Sequence, residues 1–587
     1  MRRLLATTAL MLGSLAAVTL PGAASAQTIF PINRAEILAG SRFDVKVEFA
    51  GVVARDALRV TLNGKPLEDS FGKPAEFLER EDGQAASSLV LRDATLATPG
   101  RYVLQASDGQ NTASVAWEVY AAPEQRRAQN VILFVGDGMT VANVTAARIL
   151  SRGIEEGRYR STLAMDNLPR MATVGTSGSD SIATDSANSA AAYNTGHKSA
   201  VNALNVYASR ARGTLDHPKV ETIASLARRQ LGMSVGIVTT AEIQDATPAA
   251  VFAHTRRRND YIPITDQLLA AGPEVVMGGG SASFLPRSTP GSRRADERNM
   301  IDAFRQAGYA FGDSAESMTA AAADPGTRRL LGLFNLGNMD GALDRFYLRR
   351  GTVERFPNQP DLTEQTRAAL QVLSRNPAGF FLMVESGSID KFNHPLDWER
   401  SVYETIMLDN ALKVALDWAA NRDDTLIVVV PDHNHGMSIT GTVDDNRPGT
   451  EMREKVGVYE QAGFPNYPAA DARGYPPRVD VSRRLAVFFA NFPDYYETFR
   501  PHLEGTNVPA VAQQGQANRF MANERYREAN PGGQLREGNI PRSNAQAVHT
   551  VDDVILRATG PGSERFRGFV DNTMVFRAMA EALGLGR

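Results

Sequence analysis

Acidic and imidazole side chains recur at the ends of apolar runs in this sequence. Asp137 closes "VILFVGDG", and Asp245 and Thr247 follow "MSVGIVTTAEIQ". Glu385, Asp390 and His394 follow "GFFLMV", Asp432 and His433 follow "TLIVVVP", and His549 stands in "AQAVHTVDD". The chain has 8 histidines and no cysteine, so any metal must be held by imidazole, carboxylate and hydroxyl oxygen. The chemistry that wants such a list is a multi-metal site. A catalytic Zn²⁺ keeps one position open, Mg²⁺ prefers hard oxygen ligands, and two zincs about 3.5–4 Å apart can clamp the oxygens of a phosphoryl displacement. A weak hydroxyl nucleophile beside them would be activated. Ser186, in "IATDSANSAAAYNTG", is the candidate. Ser, Thr and Asp are also ordinary helix N-caps, so "TDS" has a purely structural reading as well.

Taken singly, these signals are weak. Gly-Asp-Gly after a strand is commonly a turn. Lone histidines such as His197, His217 and His502 fit structural roles, and Glu385 could be a charge paired with an arginine. Their joint placement after strand-like runs is what carries weight. From Asn130 onward, continuous apolar runs alternate with helical segments, which predicts a mostly parallel sheet covered by helices on both faces, an α/β fold. Open α/β sheets bind ligands at the carboxyl ends of their strands, so the polar endings are expected to converge on one edge.

Residues 27–120 read differently. "FDVKVEF", "LRVTLNG" and "ASVAWEV" alternate as half-buried antiparallel strands, and Asn63-Gly64 is a hairpin signal. A small all-β sandwich, Ig-like, is expected there, followed by a polar linker at 121–129 and the α/β unit at 130–587. The stretch from about 436 to 548, rich in Pro, Gly and aromatics, reads as an insertion over the sheet edge, with "RRLAVFFANF" as one further strand.

Charge and composition exclude other classes. The 587 residues carry 63 Lys+Arg against 66 Asp+Glu, a net charge of -3, which gives no sign of nucleic-acid binding. Residues 1–26 have the pattern of a secretory signal: Arg2 and Arg3, an apolar stretch from Leu4 to Leu20, and Ala24-Ser25-Ala26 as a small-residue cleavage site. The paired arginines also fit twin-arginine export. A periplasmic or extracellular protein without a membrane anchor after cleavage is the expectation.

From Asn130 to the C-terminus the chain resembles the alkaline phosphatase family. The matching motifs are "GDGM" (136–139), "TDSA" (184–187), "DATPAA" (245–250), Glu385 with "IDK" and His394, "DH" (432–433) and "HT" (549–550), and the ending "GPGSERFRGFVDNTMVF" is similar too. The resemblance implies Ser186 as a phosphorylated nucleophile and two Zn²⁺ with one Mg²⁺. It assigns Asp390, His394 and His549 to one zinc, and Asp137, Asp432 and His433 to the other. Asp137, Asp245, Thr247 and Glu385 go to magnesium. It also implies an arginine that grips phosphate; spacing selects Arg258, with Arg256 and Arg257 as neighbouring alternatives. Lys391 and Asp245 resemble the bacterial pairing that reaches phosphate and the third metal through water, and His435 is given an orienting role.

The sequence departs from the family in lacking cysteines, in its added β domain and in its late insertion. These leave substrate preference and oligomeric state, a homodimer included, open. The reading is a secreted phosphate monoester hydrolase acting on small molecules. A phosphodiesterase on the same metals is the alternative. An exported phosphate- or glycan-binding protein is disfavoured, because no ligand and no nucleophile is missing.

Overall fold

The computed structural model describes residues 27–586; the expected signal segment 1–26 lies outside the described residues. Ten strands make the large sheet: β1 (Asn130–Gly136), β2 (Arg170–Gly175), β3 (Ser234–Glu242), β4 (Val275–Gly279), β5 (Ala310–Gly312), β6 (Leu330–Leu333), β7 (Phe380–Ser386), β8 (Thr425–Val430), β9 (Val554–Thr559) and β10 (Arg567–Asp571). Their spatial order is β5-β6-β4-β3-β7-β1-β8-β9-β2-β10. Every pairing is parallel except the two made by β9.

The four runs that end in chemistry, β3, β7, β1 and β8, are neighbours in the middle of this sheet and are buried at every residue. Alternate residues feed opposite cores, as the two-residue strand period requires. Leu133, Val135, Met383 and Val428 pack on one face, where helices α2 (Ser186–Thr195) and α6 (Thr573–Leu583) lie. Ile132, Phe134, Leu382 and Val429 pack on the other, under α1 (Val141–Arg152), α3 (Leu362–Leu373) and α5 (Trp398–Ala419). Each such side chain contributes about 1.5–3 kcal/mol by leaving water. That apolar investment holds rigid the strand ends that carry charge. A short helix, α4 (Ser388–Asn393), links β7 to α5.

One buried carboxyl has a consequence for pH. Glu404 on α5 accepts the Ala342 N–H at 2.6 Å through one oxygen, while the other has no partner. Burial pushes its carboxyl up to about 7. The folded chain therefore holds a proton that the unfolded chain releases. The stabilisation is complete below the ordinary carboxylate range and is lost as pH rises through about 7. Glu404→Gln keeps the neutral shape. It is expected to change the Tm little near pH 5 and to raise it near pH 9, by up to about 3 kcal/mol of stability. Melting curves at the two pH values check this; an equal shift at both would contradict it.

Residues 27–120 form two facing sheets. One holds Gln27–Phe30, Phe43–Phe49, Ser88–Ala94 and Glu76–Leu78; the other holds Glu36–Leu38, Thr112–Tyr120, Gly100–Ser107, Arg59–Leu62 and Lys65–Pro66. They enclose a core around Trp117, Phe43, Val47 and Leu104. Asn63 and Gly64 both have positive φ between Arg59–Leu62 and Lys65–Pro66, the hairpin turn expected there. The expectation of half-buried strands fails at Phe43–Phe49, which is buried at all seven positions. Its outward side chains Asp44, Lys46 and Glu48 are covered by a segment of the α/β unit, so neither face meets water.

Between the two units, Ala128 is buried and the Arg127 and Ala128 amides both donate to Ala582 O. Residues 436–548 build small sheets of their own. Met437–Asp444 pairs with Arg483–Phe489 and Val456–Gly457, and Ala510–Gln513 pairs with Gln516–Ala522. The strand expected in "RRLAVFFANF" is Arg483–Phe489, in this small sheet and not the large one.

Candidate active site

Strand register brings the acidic residues together. Val135 pairs with Glu385 on one side and with Val430 on the other. Asp137 and Asp432 each lie two residues past a member of that row, so both leave the sheet at the same level. Glu385 is fixed by Thr239 of β3, whose hydroxyl donates to Oε2. The β1 turn then needs glycine. Gly138 has φ +62, its N–H donates to Asp432 Oδ1 at 3.0 Å, and a Cβ there would lie 2.6 Å from His435 Cδ2. Gly138→Ala is expected to cost more than the ~1 kcal/mol of a strained φ, because His435 must also move. Activity should fall with the Tm, and an unchanged pair would contradict the packing.

The two readings of "TDS" separate cleanly. The N-cap of α2 is Asp185, in a reciprocal capping box with Asn188 (3.1 Å each way). Ser186 is the first helical residue, and its hydroxyl is not used as a cap. Ser186 Oγ instead points to His433 Nε2 at 3.3 Å and Asp137 Oδ1 at 3.5 Å.

The imidazoles are held by backbone carbonyls. His394 Nδ1 donates to Ala547 O at 2.6 Å and His549 Nδ1 donates to Thr184 O at 2.8 Å, since a carbonyl can only accept. That fixes the tautomers and leaves both Nε2 lone pairs facing inward, 3.2 Å apart. Asp390 Oδ1 lies 3.3 Å from the first and 3.4 Å from the second. Two lone pairs and a carboxylate oxygen converge on one point and need a cation between them. His435 differs: its Nε2 donates to Asp390 Oδ1 at 2.7 Å, which fits the orienting role expected of it. His433 Nε2 is 3.2 Å from Asp137 Oδ1 and 3.5 Å from Asp432 Oδ2.

Lys391 Nζ sits between Asp245 (3.0 Å) and Asp390 (3.2 Å), with Asp137 at 3.9 Å. Arg258 spreads its fork over Asp185 (3.2 Å) and Asp245 (2.8 Å). Of its neighbours, Arg256 donates to Val201 O at 2.9 Å and Arg257 is exposed, so Arg258 is the arginine that reaches the cluster. Asp245 also caps the short helix Ala246–Ala249, on which Thr247 lies with its hydroxyl buried and unpartnered.

The charges do not balance without added cations. Asp137, Asp245, Glu385, Asp390 and Asp432 are all buried, against Lys391 and Arg258 alone. Burial, with Asp137 as the nearest like charge, pushes the carboxyls of Glu385 and Asp432 well up. Burial acts upward on Asp245 too, but Lys391 and Arg258 outweigh it and hold that carboxyl down. Thr247 Oγ1, Asp432 Oδ2 and His433 Nδ1 are buried polar atoms without partners. Two donor groups whose ligand atoms lie close together, Asp390 with His394, His435 and His549, and Asp137 with Asp390 and His433, fit divalent metals. The contacts above bring Ser186, Arg258, Lys391, Asp137, Asp245, Asp390, His394, Asp432, His433, His435 and His549 together, Glu385 lies one strand-pair from Asp137, and Thr247 lies on the short helix that Asp245 caps. The roles of Thr239, and of Asp185 as both cap and arginine partner, had no signal in the sequence beyond residue type.

The alkaline phosphatase family model matches residues 128–585. Among curated proteins, alkaline phosphatase of Escherichia coli K12 is 33% identical over 359 residues, 55% of this chain and 73% of that protein. The tissue-nonspecific alkaline phosphatase of Gallus gallus is 30% identical over 502 residues, 79% and 86% respectively. Among solved structures, Thermus thermophilus alkaline phosphatase matches at 24% identity with a TM-score of 0.55, covering 80% of this chain and 93% of that one, which shows the shared fold. The family model spans most of the chain, and on that ground this chain belongs to the alkaline phosphatase family, enzymes that hydrolyse phosphate monoesters.

Proposed function

We propose that the chain is an exported phosphate monoester hydrolase that works through a phosphoserine at Ser186, with two Zn²⁺ and one Mg²⁺ at the strand-end cluster. The single observation that carries this is the inward-facing Nε2 pair of His394 and His549 beside Asp390. Asp390, His394 and His549 would hold one zinc, and Asp137, Asp432 and His433 the other. Asp137, Asp245, Thr247 and Glu385 would hold magnesium. When bound, these ions supply Lewis-acid charge to the oxygens around phosphorus and make hydroxyl attack accessible at moderate pH.

The chain's own residues do the rest. Ser186 Oγ attacks phosphorus, the alcohol departs, and water then cleaves the new P–O bond to release phosphate. The first turn of α2 offers free N–H groups and a positive dipole end to the phosphoryl anion. Arg258, pre-oriented by Asp185 and Asp245, presents its fork to two phosphate oxygens. Lys391 adds a positive charge on the same side. Export rests on the residue pattern of 1–26, with mature protein beginning at Gln27.

Parallel assays test the reaction class. Phosphate release from an aryl phosphate monoester should far exceed cleavage of the matching bis-aryl diester. A faster diester would overturn the monoester assignment.

A further inference from the structure

The N-terminal sandwich is bonded to the α/β unit at Glu221, Arg229 and Arg577 and along residues 201–220, and this last segment also holds the backbone of Arg258. At the sandwich end, Arg210 enters a buried ionic node. Its amide donates to Glu48 Oε1 at 2.8 Å, its Nε to Glu81 Oε2 at 3.1 Å, and its other nitrogens to Phe49 O, Ser87 O and Ser88 Oγ. Lys46, 1% exposed, bridges Glu48 (3.0 Å) and Glu81 and donates to Ser209 Oγ at 3.1 Å. Two cations meet two carboxylates there, so the node is balanced only with Arg210 in place. Asp44 secures the far end, exchanging backbone and side-chain hydrogen bonds with Lys219 at 2.8 and 3.0 Å.

At the active-site end, the same segment is laced to the arginine stretch. Arg256 N donates to Thr214 O at 2.8 Å, Leu204 and Thr255 exchange both backbone bonds, and Arg258 N donates to Asn202 O at 2.9 Å. Asn202 N in turn donates to Asp185 Oδ2, the oxygen that also holds Arg258 Nη1. One covalent segment, hydrogen-bonded to the sandwich at Arg210 and to the arginine stretch at Asn202, Leu204 and Thr214, thus joins the sandwich to the backbone of Arg258.

We infer that Arg210 is a positioning residue for Arg258, and that the sandwich serves as the rigid back wall of the phosphate grip. This rests on the proposed role of Arg258 as the phosphate-gripping arginine. The segment 201–220 has little regular structure of its own, and its conformation is set by what it docks on. Loss of the Arg210 fork leaves Lys46 alone against two buried carboxylates and removes the sandwich-side anchor of the segment that presents Asn202.

The test uses the full-length mature enzyme loaded with zinc and magnesium. Arg210→Met should raise the KM for an aryl phosphate and the Ki for inorganic phosphate together by about tenfold, with kcat within about twofold. Zinc and magnesium content should match wild type. Arg258→Ala, measured alongside, should raise both constants further. In the Arg258→Ala background Arg210→Met should add less than about twofold, because the two act as one unit. A purely structural role would give additive losses. If Arg258→Ala weakens phosphate binding and Arg210→Met does not, the positioning role is wrong. If Arg258→Ala leaves both constants unchanged, the role of Arg258 itself is wrong. Should Arg210→Met fail to accumulate folded, Arg210→Lys, which keeps the charge and loses the fork, should give an intermediate Ki; a wild-type Ki would overturn the inference.

Discussion

Ser186→Ala is expected to lower kcat/KM for a phosphate monoester by at least about 10³-fold, as loss of a nucleophile does in hydrolases of other kinds. The variant should keep its fold, because Asp185 and not Ser186 caps α2 and the capping box with Asn188 is untouched. It should also keep its grip on phosphate, since Arg258 is oriented by Asp185 and Asp245. The loss is therefore predicted in kcat, with the Ki for inorganic phosphate within a few-fold of wild type. Brief exposure to labelled phosphate at mildly acid pH followed by acid quench should label the wild-type peptide containing Ser186 and leave the variant unlabelled. Full activity in the variant would remove Ser186 from the mechanism.

Asp390→Asn is the second large effect. One carboxylate touches four groups: His435 at 2.7 Å, Lys391 at 3.2 Å, His394 at 3.3 Å and His549 at 3.4 Å. Burial would raise this carboxyl, yet the Lys391 ammonium and the hydrogen bond from His435 hold it well below the usual range, so it is an anion at any working pH. The amide keeps the size and discards the charge. It also replaces one of two acceptors by an NH2 donor, which must face either His435 Nε2 or Lys391 Nζ. Metal affinity at the His394–His549 pair should fall by at least about 100-fold, or about 2.8 kcal/mol, with activity falling in step. Zinc counted after passage over a weak chelating resin reads this directly. Retention of wild-type zinc would contradict the ligand assignment.

Much of the site was legible because its residues sit where apolar runs stop. "VILFVGDG" and "TLIVVVPDH" state both a buried parallel strand and a polar ending, and the sheet order makes those endings adjacent. Arg258 was less legible, because three consecutive arginines look alike until the chain turns and only one faces inward. Which residue of Asp185-Ser186 caps the helix was equally hidden, since both types can cap. The β sandwich was recognisable from alternation, but alternation describes a strand with one wet face. At Phe43–Phe49 the polar face is buried against residues more than 150 positions away, and no local pattern encodes such a partner. The 436–548 stretch was illegible for a related reason: its short strands pair among themselves, with bulges, in a Pro- and Gly-rich frame.

The central claim, that this cluster hydrolyses phosphate monoesters through bound metals, has one direct measurement. Phosphate release from an aryl phosphate at mildly alkaline pH is followed with purified mature protein as isolated, after exhaustive chelation, and after zinc and magnesium are returned. The account predicts activity that disappears on chelation and returns with the two metals together. Undiminished turnover in the verified metal-free protein would contradict it.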